Sequence, residues 1–341
     1  MSNPKSNQTL TFSFLALQNS TNYIIHDEGH DDHQTEDILL QFEEVFRFIN
    51  AIGLIENIFA TIIFFQLGRK NILAQAPQFM LTQQAVWDAL SCAFAILTSF
   101  HATKGIELIL SVNYVICSVW NSGALYFLAY NYSVYNHVLF TLERFYSIVL
   151  PLQYGVLKGL KKLILVAYYI FVFAYSFPHF IKYSYDEDSH EICIDKGDTF
   201  EKFYDFTTVA IGYLTPFTIM CVANSIVVRK IRKSAKLFSQ EQISVSAGSV
   251  SAMHGKSGRS AASTALVRVT VCLGVTFILC SAFANITLFS IASGIISLSE
   301  SLHRLKHLAV LTANLTMIVN PMLYIIFLPS LRKQVFAMCI S

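Results

Sequence analysis

The sequence predicts an all-α integral membrane protein: a seven-transmembrane helix bundle followed by a short amphipathic eighth helix. Three observations predict it. Charged residues are 13% of the chain and hydrophobic ones 54%, whereas soluble domains carry about 25% charge. The deficit falls in blocks. Phe48–Gly68, Asn71–Thr103, Leu108–Leu142, Leu163–Ile181, Phe206–Val228, Val269–Ser299 and His307–Leu331 hold at most one charged residue each. Each run approaches or exceeds the ~20 residues that cross a bilayer as a helix, and helices satisfy their backbone inside lipid where open sheets do not. Finally, the charges between the runs are sorted by sign. With residues 1–43 outside, 16 of 24 Lys/Arg lie on the inner side and 18 of 22 Asp/Glu on the outer, which satisfies the positive-inside rule. The net charge of +2 averages an acidic face and a basic one; nothing in it points to nucleic acid.

The segments follow in order. Residues 1–43 form a polar, acidic tail that reads as mostly flexible. It lacks a basic stretch followed by an apolar core, so the first span serves as an uncleaved signal anchor. Asn7 and Asn19 stand in glycosylation sequons on the outer side. His26, His30 and His33 have a spacing that suits a metal on a helix, but Gly29 and the surrounding acids argue against one. Residues 44–328 hold the bundle and its loops, including a Ser-, Gly- and Lys/Arg-rich third inner loop at about 229–266. That loop reads as a flexible site for kinases and arrestin. In 329–341, Pro329 ends the seventh helix, and Leu331, Val335, Phe336, Cys339 and Ile340 form one apolar stripe. The stripe predicts a helix lying on the membrane surface, with Cys339 a candidate for palmitoylation. Cys92, Cys221, Cys272 and Cys280 fall inside spans as packing residues. Cys117 and Cys193 alone face the oxidising side, and a disulfide between them is the simplest reading.

Polar residues inside the spans carry the functional argument, because an intramembrane charge is costly. Asp88 sits mid-span and must face the bundle interior, with Asn57, Ser133 and Asn320 at comparable depth as donors. The bland alternative is a protonated Asp that only ties helices together. Glu56 has no evident role. Glu143 and Arg144 stand at the inner end of the third span, a pair that a conformational change can split; the alternative is an interface anchor. Pro321, after Asn320, frees a backbone carbonyl that neighbouring side chains must satisfy, and Tyr324 lies one turn on.

These residues resemble the rhodopsin-like (class A) G-protein-coupled receptors over about 44–340. Glu143-Arg144-Phe145 resembles the Asp/Glu-Arg-Tyr motif, and Asn320-Pro321-Met322-Leu323-Tyr324 the Asn-Pro-x-x-Tyr motif. Asn57, Asp88, Pro178, Pro216 and Leu331-Arg332 fit further marker positions. The resemblance implies agonist binding outside and nucleotide exchange on a heterotrimeric G protein inside. It implies a switch of Glu143, Arg144, Phe277, Asn320, Pro321 and Tyr324, and G-protein contact through Arg144, Pro151 and Leu152. It also implies a sodium site at Asp88, Ser133 and Asn320. The departures mark a divergent, peptide-receptor-like chain of an invertebrate type. The family's sixth-span Cys-Trp-x-Pro reads Cys280-Ser281-Ala282-Phe283, its fourth-span Trp is Tyr168, and its fifth-span Tyr is Asn224.

Tyr126 stands where amine receptors carry Asp, and Asn314 where opsins carry the retinal Lys, so neither class fits. The acidic outer face favours a basic or amidated neuropeptide, with Asp186, Glu187 and Asp188 as its attractors and Asn121, Tyr126 and Tyr130 lining the pocket. The alternatives are a non-aminergic small molecule or, from another class, a multi-span transporter. A transporter predicts inverted repeats or broken mid-membrane helices, and neither is visible. No cofactor and no catalytic constellation are expected, so the chain does not read as an enzyme.

Overall fold

The computed structural model describes residues 32–70, 75–99, 115–181, 183–184, 194–195, 198–244, 254–293, 295 and 300–340. Seven long helices pack as a bundle: α1 Asp32–Arg69, α2 Gln75–Thr98, α3 Ala124–Val149, α4 Lys161–Ser176, α5 Thr215–Ser244, α6 His254–Ala292 and α7 Glu300–Phe327. A short helix, α8 Pro329–Ile340, follows. Among the described residues the strand content is one hairpin of two-residue strands, β1 Tyr183–Ser184 against β2 Ile194–Asp195, which packs on a π turn at Ile116–Asn121. Helix α1 contacts α2 and α7, α6 joins α5 to α7, and α3 touches α2, α4, α5 and α6.

Six described helices are long and apolar enough to cross a membrane, and α3 is not among them. The reason is its central position. Asn131, Ser133, Asn136, His137, Thr141, Glu143 and Arg144 are all buried on α3, so the helix surrounded by others carries the polar side chains that lipid would reject. Around the bundle, Phe48, Ile55, Phe65, Ile170, Leu279 and Ile326 are exposed and form the apolar exterior.

The ends of the elements depart from the sequence reading in ways local chemistry explains. Helix α1 begins at Asp32 rather than near residue 44, extending past the apolar segment Phe42–Arg69. The third inner loop, expected at about 229–266, is helical over most of its length: α5 runs on to Ser244 and α6 starts at His254. Ala235-Lys236-Leu237 and the Gln/Glu-rich residues after them favour helix intrinsically. The uncharged run at 108–142 is not one helix. Gly123 has φ 64 and separates the π turn from α3, a left-handed conformation that glycine adopts without strain. Pro151 opens a helix at Pro151–Gly159, and Pro329 opens α8, each at a first helical position where its missing N–H would lack a partner anyway. Leu331 is buried under α8 while Phe336 is exposed, and Gln334 bonds Gln66 and Lys70 of α1.

Two interior prolines organise the packing. Pro216 has no N–H and its ring collides with the carbonyl one turn earlier; the preceding Thr208–Leu214 segment is widened into a π-helix. Its carbonyls are met from neighbouring helices: the Tyr135 hydroxyl of α3 donates to Ile211 O at 2.7 Å, and the Tyr175 hydroxyl of α4 to Thr208 O at 3.4 Å. These belong to an aromatic cluster in which Trp87 of α2 stacks on Tyr132 at 4.3 Å and the Tyr168 hydroxyl donates to Tyr132 O at 2.7 Å. Tyr168 thus holds α4 to α3 from the position where the family carries Trp. Pro321 frees the carbonyl of Met317, four residues back, and Asn57 Nδ2 of α1 donates to it at 2.9 Å. Replacing Tyr135 by Phe strands the Ile211 carbonyl and removes a bond worth about 0.5–1.5 kcal/mol. The variant should unfold at a lower temperature in detergent; an unchanged midpoint would show that Tyr135 does not hold the π segment.

Candidate functional site

The centre of the bundle is a hydrogen-bonded shell around Asp88, which has no exposed surface. Gln84 lies one turn earlier on α2, and its Nε2 donates to Asp88 Oδ1 at 3.0 Å and to Ser133 Oγ at 2.6 Å. The Ser133 hydroxyl itself donates to Asp88 Oδ1. From α7, Asn320 Nδ2 donates to Asp88 Oδ2 at 2.8 Å. A second layer extends it: Asn136 Nδ2 donates to Gln84 Oε1 at 2.8 Å and to Met80 O at 3.0 Å, and His137 Nε2 lies 3.4 Å from Asn320 Nδ2. A carboxylate in a dry interior needs donors on each oxygen, and three helices supply them here.

Of the donors expected for Asp88, Ser133 and Asn320 are in place. Asn57 is not: its amide is committed to Gly53 O at 2.8 Å and to the Met317 carbonyl freed by Pro321, so that expectation is corrected. Gln84, Asn136 and His137 were missed. Their signal was helical spacing, since Gln84 is four residues before Asp88, and Asn136 and His137 three and four after Ser133. Asn320 Oδ1 is buried with no partner among the described residues. Together with the Asp88 carboxylate and the Ser133 hydroxyl, it makes an oxygen donor set of the kind a hard monovalent cation takes.

Toward the end of α3, Glu143 and Arg144 are 9% and 7% exposed. The Arg144 guanidinium is ion-paired to Glu143 Oε2 through both Nε and a terminal nitrogen. Glu143 Oε1 accepts a 2.8 Å hydrogen bond from the hydroxyl of Tyr154, in the short helix after α3. Burial, then the bond and charge of Glu143, push the Tyr154 phenol up to about 12, so it remains a donor throughout the physiological range. Both Glu143 oxygens are therefore engaged, Oε2 by Arg144 and Oε1 by Tyr154. Next to the pair, Leu152 is 92% exposed and Pro151 is exposed. Tyr324 is fully buried, edge-on to Phe64 at 5.3 Å, and its hydroxyl has no hydrogen-bond partner among the described residues. Asn224 lies beside Gly274 of α6. Phe277 is buried against Tyr213 at 6.0 Å.

At the opposite end, two tyrosines tie α3 to its neighbours. The Tyr126 hydroxyl donates to Asn314 Oδ1 of α7 at 2.8 Å, and the Tyr130 hydroxyl lies 3.2 Å from Ser281 Oγ of α6. Tyr126 is only 4% exposed, so it lies beneath any binding surface. The side chains of Asn121, Cys117 and Cys339 lie outside the described residues, as do Asn7, Asn19, Asp186, Glu187, Asp188, Cys193, His26 and His30 and the His33 side chain. Cys92, Cys221, Cys272 and Cys280 are free thiols in the spans.

The model of the 7 transmembrane receptor (rhodopsin family) matches residues 56–324. The chain belongs to that family. The match starts one residue before Asn57 and ends on Tyr324, so it encloses the Asp88 shell, the Glu143–Arg144 pair and the Asn-Pro-x-x-Tyr segment. No curated protein matches the chain. The receptor is therefore a multi-pass G-protein-coupled receptor, of a family of receptors and not of enzymes.

The shell makes its own demand. Gln84→Leu removes two donors and one acceptor, leaving buried groups short of partners at about 1–3 kcal/mol each. The receptor should lose thermal stability, and Gln84→Glu should not restore it because a second acid would stand beside Asp88. Full stability of Gln84→Leu would contradict the shell.

Proposed function

We propose that the receptor binds a basic or amidated neuropeptide at its outer face and activates a heterotrimeric G protein at the Arg144 end, with the amino terminus outside. The Glu143–Arg144 pair, closed by Tyr154, carries this reading. Arg144 is paired with its neighbour Glu143 on α3, and Glu143 is held in turn by Tyr154 of the short helix Pro151–Gly159, a bond that a movement of α3 against that helix would break, loosening the pair. Arg144, freed, and exposed Pro151 and Leu152 form the surface for the G protein. Asn320, Pro321 and Tyr324 are the moving elements on α7, with Phe277 on α6. A charged hydrogen bond contributes about 1.5–3 kcal/mol, so Glu143→Gln and Tyr154→Phe should each raise agonist-free GDP release several-fold in membranes. No rise in either would remove the pair from the switch.

The α6 departure shapes how the outer face reaches that lock. Helix α6 runs unbroken from His254 to Ala292, and Tyr130 meets Ser281 where the family carries Trp. Tyr130, with Tyr126 on Asn314, forms the floor of the ligand site and links it to α6 and α7. Asn121 belongs to the same ligand site in this reading, and the acids Asp186, Glu187 and Asp188 attract the peptide to it. The hairpin β1–β2 packs against the Ile116–Asn121 turn, which favours a Cys117–Cys193 disulfide closing the same loop. Asn7 and Asn19 carry glycans, Cys339 a palmitoyl chain, and serines between α5 and α6 recruit kinases and arrestin.

Two measurements test the ligand and the ion. Changing Asp186, Glu187 and Asp188 to their amides should lower the potency of a basic peptide agonist, more at low salt than at high; unchanged potency at low salt would turn the reading toward a non-aminergic small molecule. A sodium ion at Asp88, Ser133 and Asn320 would lower agonist affinity when sodium replaces choline at constant ionic strength. That effect should vanish in Asp88→Asn, and its absence in the unmodified receptor would exclude the ion.

A further inference from the structure

A cavity of about 340 Å³ opens between α5 and α6, away from the Asp88 shell. Its volume is at the lower end of ligand pockets, which run from about 300 to 1,000 Å³. Buried Met220 lies at its deep end, half-exposed Val275 stands at its mouth, and Arg229 and Arg232 are at the other end of the α5 wall. Gly274 brings the two helices together beneath it: a Cβ there would stand 3.1 Å from Asn224 Nδ2.

The shape selects the occupant. From Met220 to Arg232 the α5 wall rises about 18 Å at the helical 1.5 Å per residue, close to the ~15 Å half-thickness of the hydrocarbon core. The groove is lined mostly by apolar side chains, with Asn224 and Ser225 partway along the α5 wall, and it is cationic at one end only. Arg229 and Arg232 are exposed, three residues apart on one face, and neither forms an ion pair among the described residues. They lie at the same end of the bundle as Arg144, because α3 and α5 run in the same direction. A groove one leaflet deep with guanidinium groups at the headgroup level complements one molecule: a phospholipid with an anionic head and an acyl chain lying along the helices.

We propose that the α5–α6 groove is a binding site for an anionic phospholipid of the leaflet at the Arg144 end, its phosphate held by Arg229 and Arg232. The bound acyl chain touches both α5 and α6, so it bridges the two helices on their outer wall. The site does not depend on the identity of the agonist or on the switch.

The full-length receptor in nanodiscs, labelled with acyl-diazirine analogues of phosphatidic acid or phosphatidylcholine and mapped by peptide mass spectrometry, tests this. Phosphatidic acid should label 220–232 and 271–278 in preference to phosphatidylcholine. Arg229→Gln and Arg232→Gln should each cut that labelling about five-fold, and Val275→Trp should block it with both charges intact. Lys230→Gln with Lys233→Gln removes two charges that do not line the groove and should change little. Equal labelling by the two lipids, an equal effect of the lysine pair, or full labelling of Val275→Trp would overturn the proposal and leave only annular lipid. Thermal midpoints of the variants separate loss of the site from loss of the fold.

Discussion

A carboxylate buried at the centre of a membrane bundle is the constraint on which the rest of this receptor turns. Asp88 has no exposed surface and no cation among the described residues beside it, so its oxygens take hydrogen bonds from α2, α3 and α7. That requirement sets the depth of α3 against α2 through Ser133, and of α7 against α2 through Asn320. It also explains why α3 is too polar to qualify as a membrane span by itself. Its polar side chains are bonding partners within the bundle, not lipid-facing residues.

The prolines extend the same logic to the backbone. Each removes a donor, and in lipid no water replaces it. Asn57 meets the carbonyl that Pro321 frees, and Tyr135 one in the π segment before Pro216. The result is a set of links between helices made by single side chains, set within the apolar packing of the bundle. Such links have discrete broken and made states. The Glu143–Arg144–Tyr154 group is the same kind of device at the end of α3, and Tyr130 with Ser281 is its counterpart on α6. A receptor that lacks the family's sixth-span Trp and Pro thus has α3 tyrosines in contact with both α6 and α7.

Much of this was legible in the chain. Asp88, Ser133 and Asn320 were marked by polarity at matching depth in apolar runs, and they meet. The Glu143–Arg144 pair was marked by adjacency at the end of an uncharged stretch. Gln84, Asn136 and His137 carried a signal too, the helical spacing from Asp88 and Ser133, but an uncharged polar residue in a span has many outlets. Asn57 shows why depth alone misleads: its amide was needed more by a freed carbonyl than by the acid. Tyr154 was hidden because its role depends on how the chain turns at Pro151.

Hydrophobic runs of membrane length are enough to establish seven helices and their order, because lipid and water act on each segment separately. Which donor meets which acceptor depends on how the helices rotate and cross, and those angles come from packing among distant segments. The Glu143–Arg144 ion pair could therefore be read from two adjacent letters. That Tyr154 bonds Glu143, and that Asn57 serves the carbonyl freed by Pro321 instead of Asp88, was decided only when the bundle came together.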